Sequence, residues 1–348
     1  MGTSDRDRQF HPFGLAVCST ETEEDFEFIF RTLKSNTKNL NPKVLIADCA
    51  EAITNGFTNA FGSGFARVHC WFHVMDKLRK KLDVTVDAKT KAELLEDIRV
   101  MQVSSTECEF KSASALFLKK WSPNENTKAF LAYFTDEYLK KRSGWYEGIA
   151  PGFPSTNNGL ESLNNKIKNE GTFRLRLPLG EFFTVIIKLI KDWSLDRHPD
   201  SPNYVSFVTA PTIHTLLVSE AYEFAKSRGK TVRTKIINSN EVEYFIPSTL
   251  QKQLTERDIK SFHKNRVKFD TYKQWKSRLD VVKLDRANWK NSTCTCATFQ
   301  KEYICSHVIG IAALQQLFQF PDSAKTDLIG KRRKAGRPRK VKQALLVA

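Results

Sequence analysis

Along the first eighty positions, apolar residues fall in short continuous runs that alternate with amphipathic stretches. That is the rhythm of strands connected through helices. Phe13 to Cys18 (FGLAVC) reads as a buried strand, Val44 to Ala47 (VLIA) as a second, and Ala66 to Cys70 as a third. Thr20, with Glu23 three residues on, predicts a capping box opening a helix that carries Phe26, Phe28, Ile29, Phe30 and Leu33. Glu51 to Phe61 predicts a helix stopped by Gly62-Ser-Gly64. Trp71 to Leu82 predicts another, with Lys77, Arg79, Lys80 and Lys81 on it. Residues 86 to 142 keep helical spacing with few breakers, and 143 to 158 form a Gly- and Pro-containing loop. Helical patterns return at about 159 to 168, 179 to 194 and 212 to 227. Thr231 to Tyr244 alternates like a hairpin turning at Asn238-Ser-Asn240. Trp289 to Thr298 is polar and turn-like, and Val308 to Phe318 reads as an apolar helix. The expected class is α/β, followed by a smaller α+β region.

Charge narrows the possible partners. The chain has 348 residues, room for two domains, and sets 55 Lys and Arg against 39 Asp and Glu for a net charge of +16. Such a field favours a polyanion, with nucleic acid first among the candidates. No apolar run approaches the roughly 18 residues of a membrane span. The start, Met1-Gly-Thr-Ser-Asp-Arg-Asp-Arg, lacks the apolar core of a signal peptide. Cys18, Cys49, Cys70 and Cys108 have no framework spacing and read as free thiols of a reducing compartment.

The other three cysteines are grouped. Cys294-Thr-Cys296 is followed by eight residues and then Cys305-Ser-His307. One intervening residue in each pair lets both of its ligands turn towards one point. Three thiolates and an imidazole make the closed tetrahedral shell of a structural Zn²⁺ ion. A turn-rich hairpin followed by a helix carrying the last ligands accounts for the flanking pattern. This arrangement resembles the SWIM zinc finger.

Asp48 follows the VLIA run and precedes a helix, which places it at the C-terminal edge of a sheet, where open α/β sheets put their chemistry. Taken alone, an Asp at such a strand end is more often a helix cap. Cys70-Trp-Phe-His73 is a candidate ligand pair, or a core thiol and a core histidine. Asn157, Asn158, Glu161 and Asn164 gather at a helix start, where capping is the plainer role.

In this order the residues resemble the transposase domain of Mutator-like elements. Ile46-Ala-Asp48-Cys-Ala-Glu-Ala-Ile53 matches the context of that family's second Asp, Cys70 and His73 match its C-x-x-H pair, and Asn157-Asn158-Gly-Leu-Glu161-Ser162-Leu-Asn164 matches its Glu helix. The resemblance implies an RNase H-like fold with a DDE triad. It makes Asp48 and Glu161 two of the carboxylates, and Cys70, His73, Asn157, Asn158 and Asn164 supporting residues. Carboxylates of this kind hold a pair of Mg²⁺ ions for in-line displacement at phosphorus. The triad's first Asp would lie upstream of Met1, while Asp5 and Asp7 sit in a turn-like segment. The expectation is therefore a partial, N-terminally truncated RNase H-like domain whose incomplete triad gives no Mg²⁺-dependent cleavage. Mg²⁺ enters only if the protein is active.

Lys331 to Lys340 contains no acid, and its Gly336-Arg337-Pro338-Arg339 core resembles an AT-hook, which lies in the narrow minor groove of A·T-rich DNA. Arg337, Arg339 and Lys340 are its candidate DNA contacts; a plain basic tail or nuclear-localisation signal fits the same residues. Either points to the nucleus. The expected division is 1–195 transposase-like with a helical insertion at about 84–142, 196–265 a helical and β linker region, 266–325 the zinc-finger region, and 326–348 the tail. The favoured reading is a zinc-binding, transposon-derived nuclear protein that binds DNA. Two others stay open: an active transposase whose first strands belong to upstream sequence, and a non-catalytic adaptor whose finger binds proteins. Oligomeric state is not legible.

Overall fold

The computed structural model describes residues 1–325 apart from 173, 229–231, 238–240, 248–253 and 263–267. The predicted turn at Asn238-Ser-Asn240 and the tail with Arg337, Arg339 and Lys340 lie outside the described residues.

The chain opens with an antiparallel hairpin of β1 (Gly2–Ser4) and β2 (Phe10–Pro12). Its turn is held by buried Asp5, whose Oδ1 accepts the N–H groups of Asp7 at 3.0 Å and Gln9 at 2.8 Å. Phe13 to Cys18 is not a buried strand. It is irregular, with Phe13, Val17 and Cys18 exposed: Phe13 and Gly14 pair with Met1, and beyond them no strand among the described residues continues the ladder. The first helix, α1 (Glu23–Asn36), starts two residues later than predicted. Thr22 makes the reciprocal capping box with Asp25, and Thr20 only donates its hydroxyl to the same carboxylate at 2.6 Å.

β3 (Val44–Ala47), α2 (Glu51–Phe61) and β4 (Ala66–His69) form a strand–helix–strand unit. The two strands are parallel, with Val44 opposite Ala66 and Ala47 opposite His69, so both end at one edge. Helices α1 and α2 meet at Gly56, where a Cβ would stand 2.7 Å from Glu27 N. Phe30, Leu45, Phe57 and Ala60 fill the space beneath. After β4 the chain turns directly into α3 (Trp71–Asp83).

Three helices follow as expected: α4 (Ala88–Gln102), α5 (Glu107–Trp121) and α6 (Lys128–Phe134), the last continued by a π-helical stretch over Thr135–Lys141. Their apolar stripes converge with that of α3 on one core, in which Leu78, Leu94, Ile98, Phe117, Phe134 and Trp145 are fully buried. Then come α7 (Asn158–Lys166), α8 (Leu179–Leu195) and α9 (Thr215–Arg228).

The second part is a four-stranded antiparallel sheet, ordered β5 (Arg233–Ile236), β6 (Glu241–Pro247), β7 (Leu279–Asp285), β8 (Thr293–Cys294). Strands from both sides of residue 265 share it. The chain between β6 and β7 carries α10 (Glu256–Phe262) and α11 (Phe269–Arg278); after β8 come α12 (Ala297–Glu302), α13 (Ser306–Leu314) and α14 (Asp322–Lys325). Phe224 of α9, Val282 and Leu284 of β7, and Val308, Ile309 and Ile311 of α13 make a second core. Helix α11 turns the other way. Its Phe269 and Tyr272 join the helical core, and its Lys276 pairs with Glu109 of α5 at 2.8 Å. The whole is mixed α/β, and among the described residues no helix is long and apolar enough to cross a membrane.

His69, at the end of β4, is buried, and its Nδ1 has no hydrogen-bond partner. Burial, then the nearby Arg67 and Arg142, lower its pKa to about 3. Above its ordinary value the imidazole is neutral folded or unfolded. As pH falls below about 6.5, the unfolded chain takes up a proton that the folded one refuses. Stability should therefore decline by about 1.4 kcal/mol per pH unit towards pH 3, roughly 2 kcal/mol at pH 5. Urea midpoints at pH 7 and pH 5 should differ less in His69→Gln than in the parent; an equal difference refutes this.

Candidate metal centres

The C-terminal cluster is assembled by three short elements. Cys294 ends β8, Cys296 is the N-cap of α12, Cys305 is the N-cap of α13, and His307 sits in the first turn of α13. Helix α12 ends in Tyr303, a left-handed residue at φ 56°, whose N–H returns to Phe299 O at 2.8 Å. That reversal brings Cys305 back over Cys296. One donor atom from each of the four residues lies within 4.8 Å of every other, and Cys294 Sγ is 3.7 Å from His307 Nδ1. A tetrahedral zinc shell sets its sulfur and nitrogen donors roughly 3.5 to 3.8 Å apart.

The surroundings fit that ion. All three thiols are buried, and none is in a disulfide. The N–H of Cys296 donates to Cys294 Sγ and that of Phe299 to Cys296 Sγ, each at 3.4 Å, which offsets thiolate charge. Hydrogen bonds from the Cys294 and Cys305 thiols hold Cys296 well below the ordinary thiol range. Burial pushes Cys294 and Cys305 well above it. Zinc must displace those two protons, so its binding weakens as pH falls. The ring of Phe224 lies 5.1 Å from that of His307, at the edge of the second core.

A second cluster forms at the C-terminal edge of the parallel strands. Donor atoms of Asp48 after β3, His73 in the first turn of α3 and Glu161 in the first turn of α7 lie within 4.8 Å of one another. Asn157, the N-cap of α7, donates its Nδ2 to Asp48 Oδ1 at 3.0 Å. Among the described residues no hydrogen bond joins Asn158 or Asn164 to this cluster; Asn158 is exposed and Asn164 half-buried. Cys70 is not a donor in it. Its thiol is fully buried and pushed up by burial, an effect opposed by the backbone of Asn157, His73 and Phe72. Asp5 and Asp7 are fastened elsewhere: Asp5 lies 2.9 Å from His11 Nε2, and Asp7 accepts from Thr212 N at 2.7 Å.

Sequence reasoning missed two arginines that hold this edge. Arg67 on β4 donates to the carbonyls of Ala47 at 3.2 Å and Val68 at 2.5 Å, to that of Asp48, and to Thr54 Oγ1 at 2.8 Å. Burial first of all lowers its pKa to about 10, so it keeps its charge. Arg142 donates to Cys49 O at 3.0 Å. A lone arginine inside an apolar strand was the available signal for the first; nothing local marks the second.

Two family models match the chain. The MULE transposase domain matches residues 1–77, which contain Asp48 and His73, and the SWIM zinc finger matches residues 286–315, which contain all four ligands of the C-terminal cluster. Asn157 and Glu161 lie beyond both matches. No curated protein matches the chain.

Proposed function

We propose that this is a transposon-derived nuclear protein that holds one structural zinc ion and binds DNA. The convergence of Cys294, Cys296, Cys305 and His307 on one point carries the zinc reading. DNA binding is supported by the net charge of +16 and by the transposase-domain match at the N-terminal end. In this reading residues 1–195 are a partial RNase H-like domain with its insertion at 84–142. Arg337, Arg339 and Lys340 contact A·T-rich duplex, and the same tail serves nuclear import.

The reading assigns no strand transfer to this sequence alone. The cluster at Asp48 joins two carboxylates to an imidazole, and a pair of Mg²⁺ ions needs more oxygen donors than that. One observation favours an active enzyme with an additional upstream carboxylate: the fold brings Asp48 and Glu161 together from distant parts of the chain. Cleavage of duplex DNA in Mg²⁺, abolished by Asp48→Ala, would establish that alternative.

Binding to A·T-rich duplex should weaken roughly 10³-fold or more between about 50 and 200 mM salt if six phosphates are neutralised. Arg337→Ala with Arg339→Ala should lower affinity at every salt concentration. A protein that holds zinc yet shows no salt-dependent duplex affinity is an adaptor for other proteins, and the DNA reading fails.

A further inference from the structure

Asp48 and His73 are closer than their hydrogen bonding explains. His73 Nδ1 lies 2.9 Å from Asp48 Oδ1. The nitrogen is closed off from solvent and makes no hydrogen bond, so the Asp48 oxygen beside it is a charged contact alone. Asp48 Oδ1 already accepts the amide of Asn157. The carboxylate of Glu161 supplies a third donor to the same point. Two adjacent donors of an octahedral ion with bonds of about 2.1 Å stand roughly 3 Å apart. The nitrogen and oxygen have that spacing already. An ion between them takes up the nitrogen lone pair and both carboxylates together.

We propose that Asp48, His73 and Glu161 form a single-ion site that prefers a divalent transition metal to Mg²⁺. Its donors come from three places: the end of β3, held through its carbonyls by Arg67, and the first turns of α3 and α7, where Trp71 N–H donates to Ser155 O at 2.9 Å just ahead of α7. Imidazole suits Fe²⁺, Ni²⁺, Cu²⁺ and Zn²⁺, and Mn²⁺ opens the same series, whereas Mg²⁺ takes oxygen and gives up its water reluctantly. The side chains of Asp48 and His73 stay 46% and 28% exposed, so the remaining coordination positions face solvent and admit water or a phosphate oxygen. The inference rests on these donors, not on DNA binding, so the two fail separately.

The test uses the full chain with its finger filled with zinc, and Mn²⁺ as the probe, because Mn²⁺ is a weak competitor for a thiolate site. The signal of free Mn²⁺ in electron paramagnetic resonance reports binding. The expected result is about one Mn²⁺ per chain, with Mg²⁺ competing at least tenfold less well. His73→Ala should weaken Mn²⁺ about tenfold or more, change Mg²⁺ little, and leave the zinc content intact. Should His73→Ala lose its zinc or its circular dichroism, pulsed resonance on the parent replaces it, with nitrogen coupling to bound Mn²⁺ expected. No Mn²⁺ binding, equal Mn²⁺ and Mg²⁺ affinity, unchanged Mn²⁺ affinity in a folded His73→Ala, or bound Mn²⁺ without nitrogen coupling would each overturn the proposal.

Discussion

Cys305→Ser should release the zinc ion and unfold the C-terminal sheet with its two covering helices. Cys305 is 1% exposed and begins α13, which sends Val308, Ile309 and Ile311 into the second core. Serine offers a hard, weakly acidic oxygen in place of a soft thiolate. Structural zinc in small modules supplies about 10 to 16 kcal/mol of apparent binding energy at neutral pH, and that energy is also folding energy. Two elements of six residues or fewer, β8 and α12, carry or border the first two cysteines, and neither persists without tertiary support. Zinc measured per purified chain should fall from about one to a small fraction, and native-state amide exchange across β7, β8 and α13 should lose its protection. The helical core around Trp145 should keep its own protection. Zinc retained at one per chain in Cys305→Ser would place the ion elsewhere.

Trp145→Ala should cost about 4 to 5 kcal/mol in the helical core. Trp145 is completely buried, stacks on Trp71 at 5.6 Å, meets Phe110 edge-on at 4.9 Å and donates its Nε1 to Tyr138 O at 2.8 Å. Truncation leaves a cavity the size of an indole and strands the Tyr138 carbonyl without its donor. The neighbouring Gly144 carries the effect outward. Its carbonyl accepts the N–H of His69 at 2.7 Å, and a Cβ on it would stand 2.1 Å from Arg67 O. The loop after the π-helical stretch is thus pressed against β4, the strand that also bears Arg67. Urea unfolding followed by circular dichroism should show the loss, and Asp48→Ala, made for comparison, should leave the midpoint within about 0.5 kcal/mol. A Trp145→Ala loss under about 1.5 kcal/mol would mean that the core closes over the gap.

The grouping of Cys294, Cys296, Cys305 and His307 was legible because it is local. Two pairs with one intervening residue, eight residues apart, constrain the geometry before any fold is known, and the fold had only to supply the reversal at Tyr303. The VLIA strand and the helix from Glu51 to Phe61 were legible for a similar reason: an apolar run and a Gly62 stop are local signals. FGLAVC looked the same and was misread, because a strand is stabilised by its neighbour and a short window does not reveal whether one exists. Thr20 reads as the cap because Glu23 stands three residues on, whereas the box forms between Thr22 and Asp25, two positions later. The nearness of His73 to Asp48 and the grip of Arg67 on the Asp48 carbonyl depend on the register of β3 against β4. That register is a long-range fact no motif encodes. Nor did the pattern show that Phe269 and Tyr272 leave the sheet beside them for a core built from residues far earlier in the chain.

That last helix decides how the protein can be inherited. Recombination that transplanted a finger beginning near residue 266 would pull Phe269, Tyr272 and the partners of Asp97 and Glu109 out of the donor, baring apolar surface there and carrying a useless helix to the recipient. The finger would also arrive without α9, whose Ala221 and Phe224 cover its core. The helical core thus relies on a helix that the chain places between two strands of the sheet, and the sheet relies on a helix that precedes any boundary near residue 266. They can be lost or copied together far more readily than they can be traded one at a time.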